Sequence, residues 1–187
     1  KPSDQINLQG GWGAGRIVGS LGLVFNNFSA RNILKKNAWT PLPSGDGQKL
    51  SLTASSNGIY YQNYNISFTE PWLGGKKPTS LTFSLYKSVS SNGQTDDDRE
   101  SIEITGATIG LGKRLKFPDD YFTLFQNINF QQYELNNSQS FFSYTNGYSN
   151  NMSYGITLGR SSVDQPTFPR KGSNFSLSLK LTPPYSM

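Results

Sequence analysis

The chain has 187 residues with neither cysteine nor histidine, so disulfides, thiolate nucleophiles, Cys/His zinc sites and Ser-His triads are excluded by inventory. Its mean hydropathy of -0.53 and 13% aromatic content describe neither a disordered segment nor a helical membrane protein, since no run approaches the ~18 apolar residues a spanning helix needs. The net charge of +5 matters less than its placement: Lys35-Lys36, Lys76-Lys77, Lys113-Arg114-Lys116 and Arg170-Lys171 all fall where turns are expected.

Ile6, Leu8, Gly10 and Trp12 alternate with Asn7, Gln9, Gly11 and Gly13, which predicts a glycine-rich first strand. A tight turn at Ala14-Gly15 leads into a second strand with Ile17, Gly19, Leu21, Leu23 and Phe25 in alternation. The longest connection follows, from Asn26 to Gly47. Leu50, Leu52 and Ala54 mark a third strand, and Asn57-Gly58 signals a hairpin into the fourth.

That fourth strand, within Tyr60 to Leu73, carries the clearest pattern in the chain. Tyr60, Gln62, Tyr64, Ile66 and Phe68 share one face, while Tyr61, Asn63, Asn65, Ser67 and Thr69 share the other. The polar face bears no charge, which is unusual for the wet side of a soluble sandwich. It fits the lumen wall of a transmembrane β-barrel whose other face meets lipid. Pro71-Trp72 and Gly74-Gly75 then punctuate the turn. Glu70 lies close to the polar face of the strand end with no visible partner, so it makes no acid/base pair.

Leu81, Phe83 and Leu85 define a fifth strand, followed by a polar loop over 91–100. From Ile102 to Leu111 the apolar phase switches parity, which predicts a bulge at Gly106. After the turn at Phe117-Pro118-Asp119-Asp120, Phe122, Leu124, Ile128 and Phe130 oppose Thr123, Asn127, Asn129 and Gln131. A loop over 136–150 leads to Met152, Tyr154, Ile156 and Leu158. The last strand, with Phe175, Leu177, Leu179 and Leu181, follows the turn Asp164 to Gly172.

Tyr64, Ile66, Phe68, Leu124, Phe130 and Ile156 are thus expected to face lipid, and Asn65, Asn127 and Thr157 the lumen. The predicted fold is all-β: an antiparallel up-and-down transmembrane β-barrel of about nine strands. Because bacterial single-chain barrels close with even counts, nine strands imply part of a larger barrel. The connections alternate in chemistry. A Pro/aromatic/basic set (26–47, 71–79, 113–120, 162–173) is expected on the periplasmic rim, and an Asn/Ser/Gly-rich or acidic set on the outer rim.

The glycine-rich first strand, the Phe68-Thr69-Glu70-Pro71-Trp72 ending and the Asp164–Gly172 turn, with Phe168, Pro169 and Gly172, resemble the BamA family of outer-membrane β-barrel assembly factors. By that resemblance the chain is the N-terminal half of a sixteen-stranded barrel in the outer membrane of a Gram-negative bacterium. POTRA repeats and the C-terminal barrel half would lie outside it. The chain begins at Lys1 with no apolar signal region, so it reads as an excised or mature segment. The resemblance implies a noncatalytic protein without cofactors or metal, one that folds and inserts nascent outer-membrane β-barrel proteins. Ile6, Asn7, Leu8, Gln9, Gly10, Gly11, Trp12 and Gly13 would form a lateral gate that pairs with client strands. Accessory lipoproteins, membrane lipid and lipopolysaccharide would be its partners, and nucleic acid would not.

Other features carry less. Asp96-Asp97-Asp98 with Glu100 lacks the spacing of a calcium loop and reads as a solvated outer loop. Gly106 to Lys113 departs from phosphate-loop spacing, with Arg114 where a hydroxyl is needed. Three other functions stay open on sequence: a polypeptide-secreting pore of the same superfamily, a porin-like channel, and a soluble β-sheet binding module.

Overall fold

A computed structural model describes residues 4–13, 16–39, 42–75, 78–95, 98–138, 145–165 and 167–183. The turn at Ala14-Gly15, the pair Lys76-Lys77, Asp96-Asp97 and much of the 136–150 loop lie outside the described residues. Nine strands form one antiparallel sheet in sequence order: β1 (Gln5–Gly13), β2 (Arg16–Phe28), β3 (Gln48–Ser56), β4 (Tyr61–Glu70), β5 (Thr79–Ser91), β6 (Ser101–Arg114), β7 (Phe122–Asn136), β8 (Gly147–Ser161) and β9 (Asn174–Leu181). The only helical pieces among the described residues are two single 3-10 turns, Ala30–Asn32 and Lys36–Ala38. The sheet is open, so β1 and β9 each pair on one side only.

The alternation read in the sequence becomes two chemically distinct faces through the register. One row runs from Ile6 through Leu23, Leu52, Ile66, Leu85, Ala107 and Phe130 to Met152. The adjacent row, one residue along each strand, runs from Asn7 through Gly22, Thr53, Asn65, Tyr86, Gly106 and Gln131 to Asn151. The apolar rows are largely bare. Among the described residues only Phe28 and Leu135 are buried hydrophobics, whereas Ile109, Ile128, Leu179 and many like them are about half exposed. A soluble domain buries its apolar face against a second layer. Among the described residues no second layer covers this face, and a lipid-facing surface accounts for the pattern.

The polar face is the concave one. Gln131 on β7 donates to the Tyr86 hydroxyl on β5 at 2.6 Å, and that hydroxyl donates to Asn129 Oδ1 at 3.4 Å. These contacts pass over β6, where Gly106 leaves the room: a Cβ there would stand 2.3 Å from the Tyr86 ring. A cavity of about 440 Å³ lies against this face, bounded by Tyr86, Thr108, Asn129, Ser153, Thr157 and Ser178.

Three sequence expectations change. There is no bulge at Gly106; β6 pairs without a register shift on both sides. The parity switch has another cause. Near one end of the sheet Ile102 and Ile104 turn inward, while the outer face there becomes polar with Glu103. The real irregularity lies between Phe25 and Phe28, where the β2–β3 register shifts and extends β2 beyond its expected end. The 136–150 loop is also shorter than expected, because β7 runs to Asn136 and β8 begins at Gly147. There the ladder continues after the apolar alternation has stopped.

Candidate functional site

The first strand forms one free edge of the sheet. Its residues Gln5 to Gly13 pair with Val24 to Arg16, leaving the backbone donors and acceptors of the other side without a strand partner. Ile6, Leu8 and Trp12 lie on the apolar face, each more than 70% exposed. Asn7, Gln9 and Gly11 lie on the polar face, in register with Gly22, Ser20 and Val18. Gly10 is directly opposite Gly19, so this pair contributes no side-chain contact at all. A Cβ at Gly10 would meet nothing nearer than 3.9 Å, and one at Gly11 nothing within 4 Å. Glycine at these two positions is therefore not required by crowding. Its effect is to weaken the strand, by roughly 0.5–1 kcal/mol per residue relative to alanine.

The residues singled out as lipid-facing share one face. Tyr64, Ile66 and Phe68 alternate on β4, Leu124 and Phe130 lie on β7, and Ile156 on β8. Their heights differ. Tyr64 stands opposite Lys87, in the row of Thr105, Gln132 and Asn150, at the polar margin. Lys87 bonds Glu103 at 2.7 Å just beyond it. Asn65, Asn127 and Thr157 lie on the polar face, Thr157 within 3.0 Å of Ser178 on β9.

At the other rim the Asp164–Gly172 turn is built around one carboxylate. Asp164 Oδ1 accepts from the backbone N–H groups of Gln165, Arg170 and Lys171 at 3.0, 2.9 and 3.2 Å. The Lys171 and Arg170 amides hold this carboxyl below the usual carboxylate range. Gly172 has φ +96, and a Cβ would stand 2.1 Å from the Ser162 carbonyl oxygen. Both the conformation and the space demand glycine. Phe168 and Pro169 sit at the exposed tip.

Two arrangements escaped sequence reasoning. Arg160 on β8 grips Asp119 Oδ2 through Nε and Nη2 at 2.9 and 2.8 Å, and donates through Nη1 to the hydroxyls of Ser162 and Ser173. It joins the β6–β7 turn to the β8–β9 turn, and its guanidinium lowers the Asp119 pKa. Nothing in the spacing of residues 119 and 160 announces that pair. The second is Glu70, which does have a partner and lies on the apolar face, opposite Leu81. Gln48 Nε2 donates to its Oε2 at 2.6 Å, and the Trp72 amide to its Oε1 at 3.1 Å. A polar pair on a lipid-side face needs cover, and the β2–β3 connection supplies it: Gln48 is only 6% exposed.

Exposed aromatics mark both ends of the apolar band. Trp39, Trp72, Phe117, Tyr121 and Phe168 stand at the rim of the Pro/basic turns, and Trp12 and Tyr148 toward the opposite rim. Such girdles are typical of barrels at the two membrane–water boundaries.

An open, antiparallel, up-and-down sheet with an apolar convex face, a polar concave face that carries few charges (Lys49 and Lys180 among them) and aromatic rims is a segment of a transmembrane β-barrel larger than itself. The Omp85 superfamily domain matches residues 44–186, and the chain belongs to that superfamily. The membership implies an outer-membrane β-barrel. The fold is that of the BamA barrel: the crystal structure of BamA from Haemophilus ducreyi lacking POTRA domains 1-3 superposes with a TM-score of 0.60 over 98% of this chain, at 20% identity. The chain spans 35% of the length of that BamA chain. No curated protein matches the sequence.

Proposed function

We propose that the chain is the first part of the barrel of an outer-membrane protein insertase of a Gram-negative bacterium, with β1 as its lateral gate. The observation that carries this reading is the thin β1–β2 seam, in which Gly10 opposes Gly19 without any side chain, and a Cβ at Gly10 or Gly11 would collide with none of the described residues. An edge strand kept weak where nothing crowds it is suited to opening. Once open, its N–H and C=O groups can template an incoming strand by β-augmentation. Strand pairing of this kind needs no covalent chemistry. Clients would be nascent outer-membrane barrels, lipopolysaccharide and phospholipid would surround the convex face, and accessory lipoproteins would dock at the Pro/basic rim.

The test uses the full-length protein with a cysteine at Gln9 paired with cysteines along the strand that closes the barrel. Locking the seam should stop assembly of client barrels, and reductant should restore it. Client insertion at the unlocked rate would remove β1 as the gate. A secreting pore is the second reading, favoured by the polar hydrogen-bonded wall around Tyr86, Asn129 and Gln131, with Lys180 lining the same cavity. In that case the locked protein would still pass polypeptide through its lumen.

A further inference from the structure

We propose that the β2–β3 connection is a built membrane anchor that seats on anionic phospholipid headgroups beside the barrel. The inference rests on the barrel reading, since it needs a bilayer around the convex face.

The base of this connection is stitched to the apolar face rather than to the concave one. Phe28 packs edge-on against Phe68 with ring centroids 6.3 Å apart. The Ala30 amide donates to Gln48 Oε1 at 2.7 Å, and Gln48 in turn holds Glu70. Ser29 is fully buried, its amide on the Pro43 carbonyl at 2.9 Å and its hydroxyl on Asp46 at 2.6 Å. Asn27 closes the neck, accepting from the Gly45 and Gly47 amides at 2.9 and 3.0 Å. The connection therefore leaves the sheet on its lipid side, held at a defined place and unable to serve as a lumen plug without breaking these bonds.

What this base presents is apolar and cationic together. Leu34 is 94% exposed, and Ile33 and Trp39 are also exposed. Arg31, Lys35 and Lys36 flank them, all exposed and without an ion pair among the described residues. Residues 29–45 contain no Asp or Glu. The Trp39 indole N–H is satisfied internally by the Ile33 carbonyl at 3.0 Å, so the ring can enter the interface without an orphan donor. Exposed Leu, Ile and Trp beside three cations, with Asp46 turned to the buried Ser29 hydroxyl, match the boundary of an anionic bilayer. An acidic protein surface would use the charges but leave Leu34 in water. The position agrees, since Trp72, Phe117 and Phe168 stand exposed on the same rim.

The experiment places a cysteine at Leu34 of the full-length barrel, labels it with an environment-sensitive fluorophore, and reconstitutes it in phosphatidylcholine nanodiscs with or without phosphatidylglycerol. A second cysteine variant, at Phe130, reports the barrel wall. In anionic discs the Leu34 probe should shift to the blue and be quenched by spin-labelled lipid. Each cation contributes roughly fivefold to seating, so combining R31Q, K35Q and K36Q should lower the seated-to-unseated ratio roughly a hundredfold. The Phe130 probe should be lipid-quenched throughout; a water-exposed Phe130 would instead strike at the barrel reading. With Phe130 in lipid, three results overturn the anchor: a Leu34 probe open to aqueous iodide in both discs, a blue shift indifferent to charge, or shielding only when an accessory protein is added.

Discussion

The depth of the membrane on this sheet can be read from charges, and it sets the cost of a lysine. On β6 the outward positions between Glu103 and Lys113 are Thr105, Ala107, Ile109 and Leu111. Ten residues at about 3.4 Å each give about 34 Å along the strand, which a tilt of about 40–45° reduces to roughly 25 Å. That equals the height of a barrel's apolar band. Ile109 is 51% exposed, with Phe83 and Ile128 directly beside it, and stands near the middle of this span. Lysine there should cost about 2–4 kcal/mol, a shift of roughly 30- to 700-fold in the folding equilibrium. Tyr64→Lys, in the row of Lys87, should cost about 0–1 kcal/mol, because an ammonium at that margin reaches water. Phe130→Lys, one row inside that margin, should fall between them. Asn65→Lys on the concave face should cost little. Urea titration of the full-length barrel in phospholipid vesicles, read by tryptophan fluorescence, measures all four. Equal destabilisation by Ile109→Lys and Asn65→Lys would refute the assignment of faces.

The turn and the gate should respond differently to the same change. Gly172→Val forces a β-branched residue to φ +96 against the Ser162 carbonyl, so the heat-modifiable, assembled fraction on gels should drop; strain of about 1–3 kcal/mol is expected. The Cβ of Gly11→Val would meet none of the described atoms within 4 Å, and the change adds strand propensity, so assembly should persist while client insertion slows; unchanged insertion would argue against a gate weakened by glycine. Asp164 titrates below its unfolded value, so its stabilisation is present above the unfolded pKa and is lost as pH falls through the lower folded pKa. Amide exchange over 164–172 should accordingly rise only at pH below the ordinary carboxylate range, and Asp164→Asn should remove that step.

The strands were legible because the bilayer imposes a period-two pattern wherever a strand crosses it. Ile66-Phe68 and Leu124, Ile128 and Phe130 kept that pattern intact, and nine strands in simple order followed from it. The pattern fails where the lipid ends. Tyr148 and Asn150 continue the β8 ladder above the band, but their outer face is wet, so polar residues there looked like loop. Ile102 and Ile104 are apolar on the concave side for the complementary reason, and mimicked a bulge. Gly106 is exceptional for a reason the parity switch does not encode: it clears a path for the Tyr86 ring rather than bending the strand. Long-range pairs such as Arg160 with Asp119 had no local signal, since residues 119 and 160 meet only when two turns share a rim.

The distribution of ties around β1 bears on how a gate could open without unravelling the wall. At one end of the hairpin the Asp4 carboxylate accepts from the Asn26 amide of β2 at 3.0 Å. At the other, Arg16 of β2 stacks over the Tyr60 ring, 3.5 Å from its centroid, and that ring lies against Gly93 of the β5–β6 loop. The Arg16 contact therefore binds β2, not β1, to the rest of the outer rim. β2 is further paired with β3 from Gly19 to Phe28 and is knitted through Phe28 to β4. Between its ends, among the described residues, β1 is held to β2 by its backbone ladder, by the cross-strand pairs Ile6–Leu23, Leu8–Leu21 and Trp12–Ile17, and by one weak contact from the Ser20 hydroxyl to Gln9 at 3.5 Å, while the Gly10–Gly19 pair adds no side chain. The Gly10–Gly19 pair is thus a thin point of this seam, and the strand behind it is held on both sides. The proposed gate would need this arrangement: a templating strand could then shift while the sheet that carries it kept its register.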